Sequence, residues 1–380
     1  MQRLALLPLV ILAAADLFAA RHAVFETDVF NRAFPLECRT DAVFSPLSAE
    51  IDFALTAESL DTIARANVAE MMGVLVEFGG VYRPLLERLE TGTNGFSFVS
   101  ARGFCLPQVR QARTDYRQQI QRDYGAEVMP LQPVKGAESW FRAAMDGQME
   151  DFALNEAVAR ASAYSFYDLV SIRAEWAEPF PTSNVRRLTF AAADGTKAQL
   201  EFLTDVRMAE TWLERTYAIL KLPLRGGYSF YALLPNPDSD LARVREEFSS
   251  MEIESLLTRT GARPVGNYRH APTVVVMPRF RLTSRVEMTD VMQYFRVPTS
   301  ALARLAKGTP PHEFVQRISF CLVEHGANEL PLANKPPEAE LKIEKDTRRV
   351  ILNRPFLYFV YDEQEGTIPL AGQFTGLREK

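Results

Sequence analysis

Few side chain types do covalent or metal chemistry, so the histidines, cysteines and paired acids are read first. The chain has four histidines, His22, His270, His312 and His325, and three cysteines, Cys38, Cys105 and Cys321. His312 and Glu313 stand together in PPHEF, but no second histidine follows at the one-turn spacing that puts two imidazoles on one face of a zinc-binding helix. Three widely spaced cysteines permit at most one bridge and read as buried thiols, not as a disulfide framework. There is no Gly-x-Ser-x-Gly elbow to expose a nucleophilic serine, and no Walker or Gly-x-Gly-x-x-Gly loop to cradle phosphate. Acids such as Asp168 and Glu175 read as surface or hydrogen-bonding residues. No cofactor and no metal are expected, and nothing argues for an enzyme.

The elements that would position any site come next. The chain has 380 residues, of which 47% are hydrophobic, with a formal net charge of −5. That is enough apolar material for one large core, and the acidic balance argues against a nucleic-acid partner. Residues 1–20, MQRLALLPLVILAAADLFAA, read as a secretory signal. They combine Arg3, a short apolar stretch and small residues near the end. No later stretch is long and apolar enough for a membrane span. The expected product is a secreted, extracellular, monomeric domain over residues 21–380. It contains no Asn-x-Ser/Thr sequon.

Helical patterns dominate the first part of the chain. HAVFETDVFNRAF has helical spacing, and Ser45 or Ser48 is placed to cap a helix that continues through LDTIARANVAEMMGVL to Gly73. PQVRQARTDYRQQIQRDYG reads as one helix opened by Pro107 and closed by Gly125. Its Arg110, Arg113 and Arg117 would share a solvated face. Strand-like runs follow, among them FYDLVSIRAEW, YSFYALLP, TVVVMPRFRL, RISFCLVE and FLYFVYD, with a hairpin turn at Asp194-Gly195. Helices early and strands late, without a repeat, predict a single α+β domain.

Taken in order, VFSPLS (Val43 to Ser48), ARGFCLPQVRQARTDYRQQIQRDYGAEVMPL, ESWFRAAMDGQMEDF, RAEWAEPFP, MPRFRL and NRPFLYFVYDEQEGTIPLAGQF resemble the segments of the serpin family, serine protease inhibitors, over nearly the whole mature chain. The resemblance implies three β-sheets, about eight or nine helices and an exposed reactive-centre loop, here about residues 324–352. In inhibitory members a target protease cuts this loop and is acylated on it. The loop then enters the main sheet as a new central strand and deforms the protease, a bistable switch. The implied partner is an extracellular serine protease.

By the same resemblance, the hinge is Glu324, His325, Gly326, Ala327, Asn328, Glu329, Leu330 and Pro331. At the top of the sheet, Glu324 would pair with Arg279 above Trp176. Lower down, a polar latch would involve Ser45, Ser48, Asp168 and Gln316. The scissile bond falls near Glu340-Leu341 or Glu344-Lys345 according to the end counted from, with Lys342 and Arg348 as further candidates. A central strand is bonded on both edges and covered on both faces. A charge at Glu329 and an imide at Pro331 are therefore poor material for insertion. The sequence thus points to a secreted serpin with weak or absent protease trapping, acting by partner binding or as a protease substrate. A functional suicide inhibitor and a small-ligand carrier are the alternatives.

Overall fold

The computed structural model describes residues 22–34, 38–74, 77–92, 94–149, 151–154, 163–247, 268–305, 311–327 and 346–377. The helix α1 covers residues 22–33. The short strand β1 (Ala42–Phe44) leads into α2 (Pro46–Ala57), where Ser45 is the N-cap, its side chain accepts from the Ser48 N–H, and Pro46 opens the first turn. Every residue of α2 is buried. The helical run does not continue unbroken into the next segment. Asp61 accepts from the N–H groups of Ile63 and Ala64 and starts a separate helix, α3 (Thr62–Met72), which Gly73 ends at a φ of 68°.

The helix α4 spans Phe78–Thr91. The next helix is shorter than its sequence pattern predicts. Residues Val109–Gln111 form a 3-10 turn and α5 covers Thr114–Tyr124. Ala112 and Arg113 between them are extended, and the Arg113 N–H is drawn to the Arg304 carbonyl. Arg110, Arg113 and Arg117 therefore do not line one helical face. Arg113 also pairs with Asp115. The remaining helices among the described residues are α6 (Val134–Ala144), α7 (Leu241–Glu247) and α8 (Thr289–Tyr294).

The strands are β2 (Phe96–Leu106), β3 (Glu127–Pro130), β4 (Tyr164–Glu175), β5 (Val185–Ala191), β6 (Lys197–Leu213), β7 (Tyr217–Pro223), β8 (Tyr228–Pro235), β9 (Arg269–Pro278), β10 (Phe280–Glu287), β11 (Pro311–Leu322), β12 (Gly326–Ala327), β13 (Arg348–Ile351), β14 (Phe356–Asp362) and β15 (Leu370–Phe374). They make two hydrogen-bonded sheets among the described residues where three were expected. The 17-residue β6 is the cause. Its early residues pair with β5, its later ones with β7, and β9 runs beside both parts. It thereby joins what would be two sheets into one of nine strands.

The main sheet has the order β10-β11-β12-β4-β2-β3, with β11 and β4 also paired directly and in parallel from Pro311 and Tyr164 to Ser319 and Ser171. Its two faces separate by the strand period of two. Phe166, Val170, Ile172 and Ala174 of β4 and Phe314, Ile318, Phe320 and Leu322 of β11 join the core that includes Leu47, Ile51 and Leu55 of α2. Tyr167, Leu169 and Val315 join a second cluster with Ala137 and Phe141 of α6. Cys105 and Cys321 are buried free thiols, and Cys38 is a partly buried one.

Candidate functional site at the top and seam of the main sheet

The seam between β4 and β11 has a mouth and a middle. At the mouth the chain leaves β11 and turns back at once. The Val323 N–H donates to the Gly326 carbonyl at 2.9 Å and the Gly326 N–H returns to Val323 at 3.2 Å, so Glu324 and His325 form the corner of a tight turn. The following two residues, β12, stand between β4 and β11. Gly326 is level with Glu175, and Ala327 is level with Ala174 on one side and Leu322 on the other.

Gly326 is required there by sterics. Its φ is 150°, and a Cβ on it would lie 1.9 Å from the Ala174 carbonyl oxygen. Trp176 fastens the turn. It is fully buried, its backbone N–H donates to the His325 carbonyl at 2.9 Å, and its indole Nε1 donates to the Val323 carbonyl at 3.0 Å. The Phe180 N–H donates to the Glu324 carbonyl at 2.8 Å.

The expected Glu324–Arg279 pair is present but is not bidentate. Arg279 Nη1 is 3.6 Å from Glu324 Oε1 and donates more closely, at 2.8 Å, to Glu201 Oε2. Glu324 is 3% exposed and its Oε2 has no hydrogen-bond partner. The competing acid Glu201 lies on β6, far from Glu324 in sequence, and nothing in the local pattern signals it.

The middle of the seam is polar inside an apolar layer. Gln316 and Asp168 are register neighbours. Gln316 Nε2 donates to Asp168 Oδ2 and to the Ser45 carbonyl, both at 3.1 Å, and its Oε1 accepts from the Ser45 N–H at 2.8 Å. The Ser45 hydroxyl donates to the Pro369 carbonyl at 2.7 Å. Asp168, read from sequence as a surface or hydrogen-bonding acid, is wholly buried.

Two partners of this latch were missed. Arg102, level with Asp168 on β2, is 2% exposed. It donates to Asp52 Oδ1 at 3.2 Å, to the Ser100 hydroxyl at 2.7 Å and to the Ser48 hydroxyl at 2.6 Å, and stands 3.7 Å from Asp168 Oδ1. Asp52, on α2, is also wholly buried. Burial raises the Asp52 carboxyl well above its ordinary range, and the negative charge of Asp168 adds to the effect against the opposing pull of Arg102. Burial raises Asp168 as well, opposed by Arg102, Ser48 and Gln316. A signal for both residues was available. Arg102 interrupts an apolar strand, and Asp52 sits within a helix whose neighbours are apolar.

Asn328, Glu329, Leu330 and Pro331 of the hinge, and Glu340, Leu341, Lys342, Glu344 and Lys345 of the scissile region, lie outside the described residues, as does the 1–20 signal. Arg348 is described. It belongs to β13, level with Thr273 of β9 in a parallel ladder, and its Nη1 donates to the Thr211 hydroxyl at 2.5 Å. A backbone held in a ladder is not free to lie extended in a protease cleft.

The structure thus places the residues expected to form the hinge in a tight turn between two parallel central strands, above the buried cluster of Ser45, Asp168 and Gln316. The family model described as serpin (serine protease inhibitor) matches residues 21–376. The chain belongs to the serpin family. Among serpins of known sequence, serine protease inhibitor 2 of Anopheles gambiae is 22% identical over 368 residues, covering 88% of this chain and 86% of that one. Human thyroxine-binding globulin, in complex with thyroxine, superposes with a TM-score of 0.81 at 13% identity, covering 96% of this chain and 100% of that one. The thermophilic serpin tengpin in its native state superposes with a TM-score of 0.79 at 16% identity, covering 95% and 94%. These structural likenesses share the serpin fold with this chain. Serpins are chiefly protease inhibitors and not enzymes.

Among the described residues there is no cluster suited to a metal ion, and no helix is long and apolar enough to cross a membrane.

Proposed function

We propose that this is a secreted serpin whose loop is cut by extracellular serine proteases without efficient trapping, so that it acts as a protease substrate or through a binding partner. The observation that carries the reading is the register of β12. It runs antiparallel to both neighbours, so each step forward along the loop is one step back along β4 and β11. Continued in that register, Glu329 would stand level with Ile172 and Phe320, and Pro331 with Val170 and Ile318. All four neighbours are fully buried and belong to the core against α2. An unpaired carboxylate in that layer costs on the order of several kcal/mol. A proline at a central position removes a ladder donor. Trapping is a race between insertion and release of the acylated protease, and both residues slow the first.

A working suicide inhibitor is the second reading, favoured by the two hinge residues already seated in the seam. Incubation with trypsin-, chymotrypsin- and elastase-like proteases separates the two. Cleavage between Pro336 and Arg348 without a covalent band in SDS supports the proposal; a stable band with any of them refutes it. The carrier reading has little support. The cavity beneath α1 lined by Glu26, Phe30, Tyr358 and Gly372 has a volume of about 20 Å³, room for one water, and the larger cleft of about 380 Å³ is lined mainly by charged groups, among them Glu178, Arg207, Glu210, Lys221 and Glu363, unlike the mostly apolar lining of a ligand pocket.

A further inference from the structure

The seam is held by more than the Gln316–Asp168 bond. Asp168 faces Arg102 and Ser48 on its other side, and these face Asp52 on α2. Two carboxylate oxygens in the cluster, Asp52 Oδ2 and Asp168 Oδ1, are buried without a hydrogen-bond partner. Two acceptors are both satisfied when one proton is shared between the acids. Counted that way, the site holds one guanidinium cation, one carboxylate and one neutral carboxyl, and its charge is zero. Without that proton a second negative charge would stand in a layer walled by Val170 and Ile318.

We infer that Arg102, Asp52 and Asp168 form a proton-dependent clasp that fastens β4 to β2 and α2, and so controls how readily the β4–β11 seam parts for the loop. The inference rests on the loop-insertion reading above and adds its regulation. In the continued β12 register the residue level with both Asp168 and Gln316 is Ala333, so insertion must divide these two side chains. With the proton in place, Asp168 is held by Arg102, Ser48 and Asp52, and the sheet stays closed. When the pair loses its proton to solvent, two like charges repel beside one cation, β4 loosens from α2, and the seam opens more easily. The raised Asp52 and Asp168 carboxyls agree with a pair that keeps a proton above the usual carboxylate range. The groups facing the pair are Arg102 and Ser100 from β2, Ser48 from α2, and Gln316 from β11, which is itself held by Ser45 at the cap of α2. The other buried acid of α2, Glu50, is engaged by His22 and Tyr82 and interacts with Glu26, which makes a separate acid pair.

The test compares the full-length protein with Asp52→Asn, whose amide donates to Asp168 at any pH, and with Glu26→Gln, which alters only the separate pair. Thermal midpoints are measured from pH 5 to pH 9. The unaltered protein should lose roughly 3 °C or more relative to Asp52→Asn as pH rises, and Glu26→Gln should lose as much relative to the Glu26→Gln, Asp52→Asn double variant, because burial raises Glu26 too and its pair adds a separate pH dependence. Asp168→Asn, which also removes the need for a shared proton, should run parallel to Asp52→Asn, both keeping only the pH dependence of His22 and the Glu26 pair, and serves if the latter does not fold. A second readout is uptake of a labelled peptide of sequence 326–338 with alanine at 329 and 331, which bypasses the natural loop and any protease. Its rate should rise with pH, by at most about tenfold per unit for one proton, in the unaltered protein and stay level in Asp52→Asn. Parallel midpoint curves for the unaltered protein and both aspartate variants overturn the clasp. So does peptide uptake that is absent from both proteins or shares one pH dependence.

Discussion

Gln316 donates to Asp168 at 3.1 Å across the seam that a serpin loop must enter, and the same amide group of Gln316 also holds both the N–H and the carbonyl of Ser45. One side chain thus ties β11 to β4 and to the start of α2. Opening the sheet there breaks hydrogen bonds inside the core, where each unsatisfied partner costs about 1–3 kcal/mol.

Replacing Glu329 and Pro331 together with alanine removes the charge that insertion would bury and restores the ladder donor that proline lacks. The cut form of that variant should melt well above its intact form, while the cut natural protein should show little gain. Calorimetry before and after loop cleavage decides it, and equal gains for the two proteins would show that these residues are not the obstacle.

Gly326→Ala cannot keep β12 in the seam, because its Cβ would overlap the Ala174 carbonyl. The hinge should leave the sheet at a cost of roughly 1–3 kcal/mol. Limited proteolysis should then nick residues 324–327 faster than in the unaltered protein. Unchanged nicking would mean the glycine is not needed there.

Trp176→Phe keeps an aromatic ring but leaves the buried Val323 carbonyl without its indole donor. Stability in denaturant should fall by about 1–3 kcal/mol. A loss confined to a few tenths would show that solvent or a neighbour replaces the bond.

His22 is buried against Glu50, with Nδ1 2.5 Å from Glu50 Oε1. Burial alone would lower its pKa, but the charge and hydrogen bond of Glu50 outweigh that and the pKa is raised above 6.5. A raised histidine stabilises fully below 6.5 and loses its contribution as pH rises through the folded value. The advantage of the unaltered protein over His22→Gln should therefore be largest in mild acid and shrink toward alkaline pH. A gap that widens with pH contradicts this assignment.

Much of the architecture was legible because it is written locally. The cap at Ser45, the stops at Gly73 and Gly125 and the hairpin at Asp194-Gly195 each depend on a few adjacent residues. The break at Asp61 and the shortened α5 were not, since helical periodicity continues across both and a distant carbonyl, that of Arg304, decides the second. The hinge and latch are expectations that rest on the order of motifs. The partners that complete them, Glu201, Arg102 and Asp52, come from other strands or from a helix, and only the register of the sheets brings them together.

The turn from Val323 to Gly326 sets the order that insertion of the loop would have to follow. Because the chain re-enters beside the strand it has just left, strand addition can advance only one residue at a time, from the mouth inward. The levels are met in a set order: Ile172 and Phe320, then Val170 and Ile318, then Asp168 and Gln316. An alteration deep in the seam is therefore silent until the shallower obstacles are gone, and variants of Asp52 or Gln316 should change the fate of the natural loop only in a background that already lacks Glu329 and Pro331.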